Sequence, residues 1–287
     1  MTPKSKTLIV VLGPTAAGKT DYAISLAREL NCHIINADSR QVFREIPIGT
    51  AAPTTEQLAL VPHHMVGCKS VVDSYNAAQY EHDVMELLPQ LWQRGDDTAI
   101  LCGGSMMYID AVCRGIDPMP DVPPELRAEI KRTISEQGLQ TLLDELQQRD
   151  PQYFAIVDKQ NPVRVQRAIE MCRLTGKTYT SLRAGKPKQR PFTIEKRGIT
   201  LDRELLCQRI NARVDAMIAH GLIDEAQSVY HLRHHQALNT VGYKELFDFF
   251  DGLCSLDTAI NRIKKNTRLY AKKQMTWFRR DSDIRWL

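Results

Sequence analysis

Residues Gly13, Pro14, Thr15, Ala16, Ala17, Gly18, Lys19 and Thr20 fit the pattern G-x-x-x-x-G-K-[ST]. That spacing builds a loop whose successive backbone N–H groups point inward at a phosphate, with a helix N-terminus behind them. Gly13 and Gly18 allow the tight turn, Lys19 supplies a point charge for a terminal phosphate, and the Thr20 hydroxyl is suited to ligate Mg²⁺. ATP is the usual ligand of such a loop, but an ATPase normally adds an acid at the end of a second strand. Here the apolar run Ala99–Cys102 ends in Gly103-Gly104-Ser105 instead. The best acid at a strand end is Asp38, within Asn36-Ala37-Asp38-Ser39-Arg40-Gln41. In a parallel sheet the C-terminal strand ends line one crevice, so Asp38 is expected to face the phosphate loop. Three roles suit it: a Mg²⁺ ligand as in a nucleotide kinase, a general base, or the N-cap of a following helix.

Charge is the second chemical signal. The net charge of +4 identifies no partner, but its distribution is uneven. From Asn261 to Arg280 there is no acid, while Arg262, Lys264, Lys265, Arg268, Lys272, Lys273, Arg279 and Arg280 recur among Tyr270, Trp277 and Phe278. Within Arg164–Arg190 the one acid is Glu170, against Arg164, Arg167, Arg173, Lys177, Arg183, Lys186, Lys188 and Arg190. Either run alone reads equally well as a solvated helix face. Two such runs beside a phosphate loop favour a nucleic-acid backbone, with aromatic surfaces for stacking.

These residues need elements to position them. Thr7–Leu12 is continuously apolar and β-branched, as a strand buried on both faces of a parallel sheet must be. Thr20–Leu30 follows with Tyr22, Ala23, Leu26, Ala27 and Leu30 at helical spacing, completing strand, turn and helix. His33–Ala37 and Thr98–Cys102 read as further strands, the latter after a helical pattern of Tyr80, Val84, Leu87, Leu88 and Leu91. This alternation predicts an α/β fold, a P-loop NTPase-like doubly wound parallel sheet. From Arg114 the texture changes: a proline-rich stretch leads into helical patterns at 125–137, 139–148 and 162–175. A loose segment, 184–191, closes the block, and Thr193–Leu201 reads as a strand again. The expected organisation is a core of residues 1–113 and 196–287 with an all-helical insertion domain at 114–195. Leu205, Ile210, Val214 and Met217 are expected in the core, with Arg209 and Arg213 on the same helix open to solvent or to a phosphate. Seven cysteines stand singly, with no C-x-x-C pair, as expected of reduced thiols in a cytoplasmic protein. No apolar run approaches the roughly 20 residues of a membrane helix, so no membrane partner is expected.

GPTAAGKT, NADSRQVF with IGTAAP, PHHMVG, LCGGSMMYI, NPVRVQRAIE, TVGYKE and AKKQMTWFRR occur in this order along nearly the whole chain. As an ordered set they resemble the bacterial tRNA dimethylallyltransferases. The resemblance implies transfer of a dimethylallyl group from dimethylallyl diphosphate to the exocyclic amine of the adenosine 3′ of the anticodon, by a monomer that binds the tRNA anticodon stem-loop. The phosphate loop would then hold an isoprenoid diphosphate with Mg²⁺. It also implies that Asp38 is the base and that Lys19, Thr20 and Arg213 serve the diphosphate, neighbouring Arg209 leaving that register open. Implied tRNA contacts are Asp38, Ser39, Arg40 and Gln41; Ser105, where the family more often has threonine; Arg127; and Val163, Arg164, Val165, Gln166 and Arg167. Further along they are Asn239, Thr240, Val241, Gly242, Tyr243 and Lys244, then Lys272, Lys273, Gln274, Met275, Thr276, Trp277, Phe278 and Arg279. Two other readings use the same loop: a small-molecule or nucleotide kinase acting on ATP, and a non-catalytic RNA-binding switch that senses a nucleotide.

Overall fold

The computed structural model describes residues 6–93, 97–183 and 185–287; Ala184, which opens the expected loose segment, and the first five residues lie outside them. Six parallel strands form one sheet: β1 Thr7–Leu12, β2 Ile34–Asn36, β3 His63–His64, β4 Thr98–Gly103, β5 Thr193–Gly198 and β6 Ile284–Trp286. Their order is β3-β2-β4-β1-β5-β6. β1 is central, pairing Val10 with Leu101 on one side and with Lys196 on the other. The two-residue alternation of a strand explains its apolar run. Leu8, Val10 and Leu12 enter one core layer, with Tyr80, Val84 and Tyr108, whereas Ile9 and Val11 enter the other, with Ala23, Ile24 and Ala27. β3 and β6 have two and three residues, too short to carry a period, and sequence reading finds neither.

The chain divides into two compact units, residues 1–114 with 189–287, and residues 115–188. The boundary expected at 195 falls inside β5, whose ladder with β1 places that strand in the first unit. Helix Arg203–Ala219 begins at Asp202, which accepts from the N–H groups of Glu204 and Leu205. On that helix Ile210 and Val214 are buried as expected, but Leu205 is 41% exposed because it belongs to the solvent-facing first turn. The last long helix, Leu256–Phe278, starts at Ser255, which accepts from Thr258 N–H.

The second unit is helical: Pro124–Gln137, Leu139–Arg149, Pro151–Ile156, Pro162–Thr175 and Tyr179–Leu182. Ile130, Leu142, Leu146, Val165 and Ile169 fill its core. Buried Asp150 joins two of its short elements, accepting from Tyr153 N–H at 3.0 Å, Thr180 N–H at 2.7 Å and the Thr180 hydroxyl at 2.8 Å. All seven cysteines are free. No helix among the described residues is long and apolar enough to cross a membrane.

Candidate active site

The phosphate loop leaves β1 at Gly13, where φ is +147° and a Cβ would stand 2.2 Å from the carbonyl oxygen of Ile199. Only glycine fits that approach. Helix Lys19–Leu30 begins immediately after Gly18, and its first-turn N–H groups have no intrahelical acceptor, which leaves them for an anion. The loop is held from outside by buried Gln274. Its Oε1 accepts from Thr15 N–H at 2.9 Å and its Nε2 donates to Gly104 O at 2.8 Å. One amide thus ties the phosphate loop to the end of β4.

A cavity of about 640 Å³ opens above this loop in the first unit. Gly18, Lys19, Thr20 and Arg213 line one part, Asn36, Asp38 and Gln41 another, and Pro47, Ile48, Ala51, Ala52, Pro53 and Met217 a largely apolar part. Lys19 Nζ donates to Pro14 O at 2.7 Å. Burial lowers the Lys19 ammonium to about 8, with nearby Cys102 and Asp38 acting against the shift. Arg213 Nη1 reaches the Thr15 hydroxyl at 3.5 Å, and burial lowers its guanidinium too, opposed by Asp21 and Asp38. Arg213 lines the cavity, whereas Arg209 is exposed, its Nη1 3.8 Å from where a Gly18 Cβ would be.

Asp38 follows β2 into a turn. Its Oδ1 accepts from Arg40 N–H at 2.9 Å and Gln41 N–H at 3.4 Å. Its Oδ2 takes no hydrogen bond among the described residues. Capping therefore uses one oxygen and leaves the other for the cavity. Asn36 braces the turn: its Oδ1 accepts from Asp38 N–H at 3.1 Å and its Nδ2 donates to Met65 O at 3.0 Å. Ser105 is buried, its hydroxyl accepting from Ser39 N–H at 2.7 Å and donating to Ser39 Oγ at 3.0 Å. The Tyr270 phenol lies near Asp38, Ser105 and Arg40, and burial pushes it up to about 12, so it keeps its proton.

The family described as IPP transferase matches residues 41–281, most of the chain. The chain belongs to this family. Among IPP transferase relatives, tRNA dimethylallyltransferase 1 of Phocaeicola vulgatus is 54% identical over 280 residues, covering 98% of this chain and 93% of that protein. The crystal structure of the full-length tRNA isopentenylpyrophosphate transferase from Bacillus halodurans matches with a TM-score of 0.72 at 36% identity, over 99% of this chain and 90% of that one. A eukaryotic dimethylallyltransferase acting on tRNA matches with a TM-score of 0.84 at 25% identity, over 99% of this chain and 74% of that one. The α/β fold with its parallel sheet and helical second unit is that of the IPP transferase structures.

Within this family frame the expected RNA-contacting residues separate by burial. Lys272, Lys273, Thr276 and Arg279 are exposed, as are Asn239 and Lys244. In the second unit Arg127, Val163 and Arg164 are exposed. Arg40 donates to Gln236 O at 3.3 Å, and Gln41 turns its amide onto Thr50 O and Ala51 O. Trp277 Nε1 donates to Asp110 Oδ2 at 3.0 Å, while Met275, Thr240 and Val241 are half-buried.

Val165, Gly242, Tyr243, Gln274 and Phe278 are buried, unlike their exposed neighbours in the same segments. The second basic run is also less open than its charge implies. Arg173 pairs with Glu129 and Glu145, and Arg190 is buried against Glu81 and the carbonyls of Ala111 and Val112. Arg127, Gln166 and Arg167 converge on Glu170, the single acid of that run, whose side chain is 4% exposed.

In the sequence Tyr270 stands out only as one aromatic of a basic face. His63 also lines the cavity, its Nδ1 bonded to Val61 O at 2.9 Å and its buried Nε2 without a partner among the described residues. Burial lowers that imidazole, which keeps it neutral. Met217, expected in the core, also borders the cavity.

Proposed function

We infer that this IPP transferase transfers a dimethylallyl group from dimethylallyl diphosphate to N6 of the adenosine 3′-adjacent to the anticodon of tRNA, releasing pyrophosphate. One observation carries the reading: the phosphate loop and a carboxylate oxygen of Asp38 that has no partner among the described residues border the same cavity. Adenine N6 is a weak nucleophile because its lone pair is drawn into the ring. As N6 bonds to the allylic carbon, the carbon–oxygen bond to the diphosphate breaks, and N6 must lose a proton. Asp38 Oδ2 accepts that proton while Oδ1 stays fixed by the turn, which orients the base. Negative charge grows on the departing diphosphate. The N–H groups of the loop, Lys19 and Arg213 stabilise it where it develops.

The donor set for Mg²⁺ is sparse, since no group of three or more His, Cys, Asp or Glu among the described residues is arranged to hold a metal. It still fits this ion, which keeps several waters and binds through phosphate oxygens with one or two protein ligands. The Thr20 hydroxyl, lining the cavity beside Lys19, would hold it. When bound, the ion adds positive charge at the leaving group.

The tRNA anticodon stem-loop binds through its backbone to the exposed cations of each unit, Lys244, Lys272, Lys273 and Arg279 in the first, Arg127 and Arg164 in the second. The place of action is the cytoplasm, where tRNA is held, and the working form is a monomer. Incubation of the protein with an unmodified tRNA and dimethylallyl diphosphate labelled in the prenyl group tests the reaction. Label on the adenosine beside the anticodon, with release of pyrophosphate, is expected. Transfer of phosphate from ATP in place of the prenyl group would assign the loop to a kinase.

A further inference from the structure

The loop 46–52 supplies much of the apolar wall of the cavity, through Pro47, Ile48, Ala51 and Ala52. It has little regular structure of its own, and Ala51 has a φ of +51°, a left-handed conformation that alanine holds only where its surroundings fix it. Besides the Thr50 hydroxyl, which donates to Ile46 O at 2.7 Å within the loop, side chains fix it from two sides. From one side Gln41 Nε2 donates to Thr50 O at 3.0 Å and Ala51 O at 2.9 Å. From the other, the Glu225 carboxylate accepts from Ile48 N–H through Oε2 and from Gly49 N–H through Oε1, each at 2.7 Å.

Tyr243 completes this second clamp by donating its phenol to Glu225 Oε1. Burial, then the Glu225 charge, holds the phenol well above its ordinary range, so it remains a donor. A Cβ on residue 49 would lie 2.4 Å from that phenol oxygen, so glycine is required at the contact. Glu225 and Tyr243 are absent from the cavity lining, and act on it only through this loop.

We propose that Glu225, held by Tyr243, is a positioning residue that sets the wall against which the prenyl tail of the donor packs, and thereby the length of prenyl group the cavity admits. This rests on the reading of the cavity as the prenyl diphosphate site. The phosphate loop is built on β1 and Gln274, apart from the clamp, so diphosphate recognition is independent of it. A carboxylate at 225 can accept from both amides and the phenol at once. A glutamine cannot, because its NH₂ would face one of those donors.

The test compares wild type, Glu225→Gln and Tyr243→Phe for binding of inorganic pyrophosphate, dimethylallyl diphosphate and geranyl diphosphate, with melting temperatures measured alongside. In Glu225→Gln, affinity for dimethylallyl diphosphate is expected to fall about tenfold, affinity for pyrophosphate to stay within twofold, and preference over the geranyl donor to shrink. Tyr243→Phe keeps both amide bonds and should move the same quantities by two- to threefold; it also decides the matter if Glu225→Gln does not fold. Equal losses for pyrophosphate and the prenyl diphosphates, or a lower melting temperature with unchanged donor preference, would overturn the proposal. If wild type binds pyrophosphate but gains nothing from the prenyl group, the donor reading itself falls.

Discussion

Lys19 is the residue on which the electrostatics of the phosphate loop can be tested most directly. Burial brings its ammonium down from 10.5 to about 8, so it is still charged at neutral pH, but at a cost. That interval corresponds to about 3 kcal/mol of unfavourable burial at pH 7, at about 1.4 kcal/mol per pH unit. Between about pH 8 and 10.5 the unfolded chain holds a proton that the folded one has released, so the stability of the ligand-free protein should rise with pH across that window. Lys19→Met removes the buried charge but leaves Pro14 O without its donor, a loss of about 1 kcal/mol. The variant should therefore be more stable than wild type by about 2 kcal/mol at pH 7, with the gap closing as pH rises. Diphosphate binding should run the opposite way. An anion is recognised by the protonated amine, and an alkyl diphosphate, unlike inorganic pyrophosphate, has lost its last proton by about pH 8, so above that pH the affinity for dimethylallyl diphosphate follows Lys19. It should weaken by about tenfold between pH 7 and 9. Titration calorimetry with dimethylallyl diphosphate from pH 7 to 9.5, in buffers of different ionisation enthalpy, reads both the affinity and the proton uptake. Denaturant melts of wild type and Lys19→Met across the same range read the stability. Dimethylallyl diphosphate affinity indifferent to pH, together with a destabilised Lys19→Met, would refute this account of the loop.

The other expectations concern the base, the RNA face and the brace. Asp38→Asn keeps a capping oxygen and the shape of the turn but removes the basicity, so both substrates should bind nearly as before. Single-turnover chemistry should fall by about 10²–10⁴-fold, and near-normal chemistry would remove Asp38 from the role of base. Reversing Lys272 and Lys273 to Glu should weaken tRNA binding and flatten its salt dependence without changing pyrophosphate affinity; an unchanged slope would mean that these exposed lysines meet only solvent. Gln274→Glu keeps the acceptor for Thr15 N–H but removes the donor to Gly104 O, leaving that carbonyl facing a carboxylate. Thermal melts should show a loss of at least about 1–3 kcal/mol, and an unaffected melting temperature would deny the amide its bridging role.

Much of this molecule is written in local pattern. The run Thr7–Leu12, the glycine spacing of the phosphate loop and the helical repeat of 162–175 each follow from forces acting within a few residues: steric limits on φ, the side-chain alternation of a strand and the period of a helix. The strand ends then place Asp38 and Gly103 in one crevice by topology, which is why the loop and the carboxylate were legible together. The ordered motifs did the same for the family. Local pattern says much less about what a polar side chain touches. Arg173 and Arg190 look like members of a nucleic-acid face until Glu145 and Glu81 are brought to them from elsewhere in the chain. Gln274 sits within a basic run yet bridges two loops more than 150 residues away in sequence. Tyr243, His63 and Tyr270 owe their roles to neighbours on other elements, as does Glu225, which carries no motif that marks it as part of a cavity wall. The period of a helix fixes which residues share a side. Whether that side meets water, a carboxylate or a buried carbonyl is decided by long-range packing, because a hydrogen bond or ion pair depends on both partners and the chain supplies the second only after it has folded.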